Sequence, residues 1–175
     1  MIRHAAFLRG VNLGQRTTKS ADLVAAFAGM GFAGAKTLIA SGNVLFEADP
    51  APDLAERIEA GLAAHFGFDI GVVLRTDAEL RAMVAADPFR HVPPDADAKL
   101  YVALLREPVG RAVGAPFGVP GDFDVISATE RELFAIAWHM PNGRYGEGLD
   151  TLGKRLPKGT LVTTRNWNTI LKAAK

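Results

Sequence analysis

Between His4 and Arg75 the apolar residues alternate between short runs and helical stripes in the order strand, helix, strand, strand, helix, strand. Few folds accept that order. His4 to Leu8 reads as a short strand that is apolar on both faces, followed by a loop from Arg9 to Thr18. Ser20, a good N-cap type, opens a helix with Leu23, Phe27 and Met30 on one stripe, and Gly31 stops it. Lys36 to Ala40 and Val44 to Glu47 read as strands joined by Ser41-Gly42-Asn43, since glycine and asparagine tolerate the positive φ of a tight hairpin. Pro52 suits the first turn of a second helix, whose buried stripe of Leu54, Ile58, Leu62 and His65-Phe66 closes at Gly67. Ile70 to Arg75 completes a βαββαβ unit of ferredoxin-like type.

A connecting segment follows. Thr76 and Glu79 have capping-box spacing and open a helix with Leu80, Met83 and Val84 turned inward. Asp87-Pro88 ends it, and Pro93-Pro94-Asp95-Ala96-Asp97 reads as a linker. Beyond it, Lys99 to Leu105 is a strand, Pro108 to Pro116 is weakly helical or irregular, and Asp122 to Ile126 pairs with Glu132 to His139 across Ala128-Thr129. Leu149 to Leu156 is a short helical candidate and Thr160 to Thr163 a last strand. A closing helix carries Trp167, Ile170, Leu171 and Ala174 on one face. The expected fold is α+β: two tandem ferredoxin-like (βαββαβ) halves, with antiparallel or mixed sheets and helices packed on one face. The halves are 1–75 and 98–175, joined by 76–97.

The composition is that of a globular chain, with 49% hydrophobic and 22% charged residues. Cysteine is absent, which removes disulfides, thiol catalysis and cysteine-based metal sites. The apolar run after Met1 is too short for a secretory signal, and Leu23 to Ala35 is too short to span a bilayer. The expectation is a cytoplasmic protein without a membrane segment, acting as a monomer or homodimer.

Most chemical motifs fail on inspection. Gly148 to Lys154 matches the first seven positions of a phosphate-binding loop, but Arg155 stands where a magnesium-holding Ser or Thr belongs. No dinucleotide glycine fingerprint is present. His4, His65, His91 and His139 lack metal-ligand spacing, so no metal or cofactor is expected. Ser41 has no neighbouring base. An RNA-recognition motif shares the element order, yet Val44-Leu45-Phe46-Glu47 lacks its basic and aromatic consensus, so sequence-specific RNA binding is not expected.

Charge points elsewhere. Residues 1–21 and 151–175 hold Arg3, Arg9, Arg16, Lys19, Lys154, Arg155, Lys158, Arg165, Lys172 and Lys175 with no acid, a pattern that suits an anion-binding face if the ends meet. The Arg9–Thr18 loop is long for a strand-to-helix connection, where about 2–6 residues are usual. It brings Arg9, Arg16 and Lys19, with Gly10, Gly14 and Asn12, to a helix N-terminus, where main-chain N–H groups favour an anion. The second candidate is the turn Thr164-Arg165-Asn166 before the last helix. There Thr164 or Asn166 suits a cap, and Arg165 calls for an anionic partner against the helix dipole. The expected ligand is small and anionic or phosphorylated, held where the two turns converge. The alternatives are an enzyme acting on an anionic substrate in that pocket, and a weak nucleic-acid binder through the basic ends.

Three stretches taken together carry a family resemblance: Phe7-Leu8-Arg9-Gly10-Val11-Asn12-Leu13-Gly14, Ser41-Gly42-Asn43-Val44, and Thr163-Thr164-Arg165-Asn166-Trp167-Asn168-Thr169. In order and spacing the chain resembles the bacterial proteins of domain-of-unknown-function family 1697. The resemblance implies a duplicated, ferredoxin-like α+β fold and no agreed activity, so it assigns no catalytic residue. Gln15 departs from the family pattern, which usually has a second glycine there.

Overall fold

The computed structural model describes residues 1–175, the side chains of Ala40 and Ser41 excepted. The chain divides into two compact units, Met1–Ala82 with Leu171–Lys175, and Met83–Ile170. The first runs β1 (Ile2–Arg9), α1 (Ser20–Gly29), β2 (Lys36–Leu38), β3 (Ala40–Ala48), α2 (Leu54–Phe66), β4 (Gly71–Thr76) and α3 (Asp77–Ala85, which continues into the second unit). Its sheet is antiparallel with the order β2-β3-β1-β4. Alternation along the strands sends Ala6, Leu8, Val44, Phe46 and Val72 to one face, where Leu23 and Phe27 of α1 and Ile58 and Leu62 of α2 meet them. Phe46 stacks into this core, with ring centroids 5.2 Å from Phe27 and 5.1 Å from Phe32. A ring buried under helices is no platform for an RNA base.

Local signals explain the element ends. Gly67 closes α2 at φ 80° with its N–H on the Ala63 carbonyl. Thr76 and Glu79 form the capping box in full: the Glu79 N–H donates to Thr76 Oγ1 at 3.2 Å and the Thr76 N–H to Glu79 Oε2 at 2.8 Å. Two expectations shift. Ser20 is the first helical residue of α1 and Lys19 is its cap position, its own side chain making no capping hydrogen bond. The β2–β3 reversal falls at Ile39, at φ 66°, and not at Ser41-Gly42-Asn43. Asn43 is buried within β3, and its Nδ2 donates to the Leu38 carbonyl at 3.1 Å, which holds the tight corner. The Ser41 side chain lies outside the described ones.

The second unit runs β5 (Ala98–Leu105), β6 (Phe117–Val119), β7 (Phe123–Ala128), β8 (Glu132–Trp138), β9 (Val162–Asn166) and the start of α4 (Trp167–Ala173). Its antiparallel sheet has the order β6-β7-β8-β5-β9. The expected second βαββαβ half departs from the plan here. Gly110–Val113, in the stretch read as weakly helical or irregular, and Glu147–Arg155, at the expected short helix, are 3-10 turns, and β6 adds an edge strand. Glycine and proline at Pro108, Gly110, Gly114, Pro116, Gly146, Gly148, Gly153 and Pro157 deny these segments a continuous helix. The β7–β8 hairpin does close across Ala128-Thr129, with the Thr129 N–H on the Glu132 carbonyl at 2.9 Å. One face packs Ala103, Leu105, Val125, Leu133 and Leu152. Phe134 lies on the other face with Phe89 and Trp167, whose rings meet edge to face at 5.3 Å.

Among the described residues no helix is long and apolar enough to cross a membrane.

Candidate functional site

β1 ends at Arg9, opposite Gly71 of β4, and the chain then reverses through Gly10 at φ 83° and Gly14 at φ 60°. Both angles favour glycine, so the glycines of this loop set its path. A turn closes by the Arg16 N–H on the Leu13 carbonyl at 2.9 Å. Asn12 ties the loop to itself, its Oδ1 accepting the Thr18 N–H at 3.2 Å. The arrangement presents the start of α1, where the Leu23 N–H already reaches the Lys19 carbonyl at 3.0 Å but the Lys19 side chain makes no capping hydrogen bond.

The three loop cations differ. Arg9 makes contacts of its own within the protein. Arg16 lays its guanidinium 4.9 Å from the centre of the Phe68 ring, which positions it without neutralising it. Among the described residues neither Arg16 nor Lys19 has a carboxylate partner. Thr18 is 4% exposed, and its hydroxyl has no hydrogen-bond partner among the described residues. Sequence reasoning passed over Thr18, and the signal was its place two residues before the helix.

The second candidate turn belongs to the second unit and uses its groups locally. Asn166 Oδ1 accepts the Asn168 N–H at 2.9 Å, which caps α4. Thr164 is exposed. Arg165 lies within β9, and its Nη1 donates to Thr163 Oγ1 at 2.6 Å and to the Thr164 carbonyl at 3.0 Å. Burial lowers its pKa to about 10, which still leaves it charged at neutral pH. The Gly148 segment is no phosphate cradle: the Gly148 N–H already donates to the Asp122 carboxylate at 3.0 Å.

The family described as "Protein of unknown function (DUF1697)" matches residues 1–134. The chain belongs to that family. The matched span of this DUF1697 chain contains the whole Arg9–Lys19 loop and stops short of the Thr164 turn. No curated protein matches it. The solved structure of the conserved bacterial protein SP0830 from Streptococcus pneumoniae aligns over 99% of this chain and 97% of that one. The TM-score is 0.71 at 19% identity, which shows a shared fold. Neither description names an activity, so the DUF1697 assignment leaves the function to be argued from the site.

Proposed function

We propose that this protein is a binding module for a small anionic or phosphorylated ligand, held by the loop between β1 and α1. Arg16 and Lys19 carry the reading: they are two cations at the start of α1 that have no carboxylate partner among the described residues. A phosphate would accept from the first-turn N–H groups while Arg16 and Lys19 offset its charge. The Thr18 hydroxyl lies buried behind them without a partner among the described residues, at a cost of about 1–3 kcal/mol, and would reach a ligand only if the loop shifts. Gly10, Gly14 and Asn12 shape the loop, and Arg9 adds to its positive field. Thr164, Arg165 and Asn166 are the less favoured contact set, since Asn166 serves as a cap and Arg165 is bound to its own strand. We read the second unit as an altered copy of the first, both on a ferredoxin-like plan. The sheet orders β2-β3-β1-β4 and β7-β8-β5-β9 correspond strand for strand, which supports this.

The test is calorimetric titration with inorganic phosphate and pyrophosphate. The wild type should bind saturably, and the double variant Arg16→Ala/Lys19→Ala should lose about tenfold or more in affinity, as two lost charge-assisted contacts imply. Equal binding by both proteins, or none by either, rejects the reading.

A further inference from the structure

The second unit contains a groove of about 430 Å³ on the face of its sheet that carries Phe134. The sequence builds it in three steps. First, the register of β7 on β8 slips between Val125 and Ser127, a β-bulge at Ile126. Bulges re-aim side chains, and this one brings both Ile126 and Ser127 into the groove lining. Second, Ile136 and Trp138 alternate onto the same face from β8, and Trp138 is fixed because its Nε1–H donates to Asp124 Oδ2 at 2.7 Å. Third, Asp87 turns the chain at φ 46°, a conformation that aspartate tolerates better than most residues. The next residues then run past the groove, pinned by Phe89 against Phe134 and Trp167 at 6.0 and 5.3 Å. Pro88 and Pro93 stiffen this segment, and between them Arg90 and His91 reach the groove wall.

The chemistry of the lining is one-sided. Its floor is apolar and contains an indole, its polar groups are Arg90, His91 and Ser127, and it contains no carboxylate. Among the described residues Arg90 Nη1 reaches the Asp87 carbonyl at 3.4 Å, and neither Arg90 nor His91 has an acidic partner. Asp124, opposite Ile136 in the register, accepts the indole N–H on one of its oxygens. The volume falls within the ~300–1,000 Å³ of small-molecule sites.

We propose that this groove binds a small aromatic carboxylate, its flat body against Trp138, Ile126 and Ile136 and its carboxylate on Arg90. Charge complementarity selects the acid, and the rigid indole selects a planar body. The site lies in the second unit and is independent of the loop in the first.

The probe is 2-naphthoate, titrated by calorimetry and followed by the Trp138 indole N–H resonance, with 2-naphthalenemethanol as the neutral analogue. The wild type should bind 2-naphthoate saturably and shift the Trp138 signal, while the analogue should bind about tenfold more weakly. Arg90→Gln, at an exposed position, should bring 2-naphthoate down to the analogue's affinity. Ser127→Phe should block both compounds by filling the groove. Absence of saturable binding, equal affinity for the two compounds, or an Arg90→Gln variant indistinguishable from wild type overturns the proposal.

Discussion

Arg75 and Arg165 occupy the same place in their two sheets. Each is the penultimate residue of an edge strand, opposite a central strand at Ala5 or Val102, and directly precedes the residue that caps the following helix. Each turns its Nη1 back to the carbonyl of the residue before it, Leu74 at 2.8 Å and Thr164 at 3.0 Å. Both arginines are thus structural before they are anything else. Arg75 is 1% exposed, so Arg75→Ala should cost about 2–4 kcal/mol by the usual cost of emptying a buried site. Arg165→Ala, at a half-buried site, should cost about 1–2 kcal/mol on the same basis. Urea midpoints in that order support the assignment, and the reverse order would contradict it.

The capping box gives a sharper local test. Thr76→Ala removes the acceptor of the Glu79 N–H and should cost about 1 kcal/mol, as cap deletions do. Glu79→Gln keeps an oxygen for the Thr76 N–H and should cost less. Chemical denaturation of the two variants side by side decides it.

Ile39 is a β-branched residue at φ 66°, 59% exposed, so its side chain gains little from burial while its backbone is strained. Ile39→Gly should relieve about 1–2 kcal/mol of strain and give back about 0.4–1 kcal/mol to the unfolded chain. The net expectation is a small rise in Tm. A fall would show that the side chain has a packing role.

Asp97, Tyr145 and His139 form an exposed cluster: the Tyr145 hydroxyl donates to Asp97 Oδ1 at 2.6 Å, and His139 Nδ1 lies 2.7 Å from Oδ2. The Tyr145 hydrogen bond, then the His139 one, holds the Asp97 pKa below the ordinary carboxylate value. The same bond to Asp97 raises the Tyr145 pKa above its ordinary 10.0. The signs define a window. The depressed acid stabilises the fold above its unfolded pKa and loses this as pH falls through the folded one. The raised phenol stabilises below 10.0 and loses this as pH rises through its folded value. Ultraviolet titration of the phenolate should therefore place Tyr145 above an ordinary tyrosine, and Asp97→Asn should bring it down. An unchanged midpoint in Asp97→Asn contradicts the bond.

Much of the first unit was legible because its signals are local. Leu23 and Phe27, or Ile58 and Leu62, declare a helical face whatever surrounds them, and Thr76 with Glu79 declares a cap. The β2–β3 corner was not legible: Ser41-Gly42-Asn43 has hairpin chemistry, yet Asn43 spends its amide on Leu38 and the turn passes to Ile39, against that residue's own preference. In the second unit the strands were readable from Leu100 to Leu105 and Leu133 to Ala137, but glycine and proline blur 3-10 turns with loops. At the proposed site, Arg16 and Lys19 were visible as charge. The buried Thr18 hydroxyl was not, because burial is a property of packing and Thr18 looks polar in sequence. The groove beside Trp138 was equally hidden, since a bulge at Ile126 and a positive φ at Asp87 leave no clear mark in composition.

The most direct measurement of the proposed anion site is a phosphate titration of the isotope-labelled protein, following the backbone N–H resonances of Thr18 to Asp22. The account predicts saturable shifts confined to the β1–α1 loop and the first turn of α1, abolished in Arg16→Ala/Lys19→Ala while the rest of the spectrum is unchanged. Shifts that grow linearly without saturating, or that persist in the double variant, would contradict it.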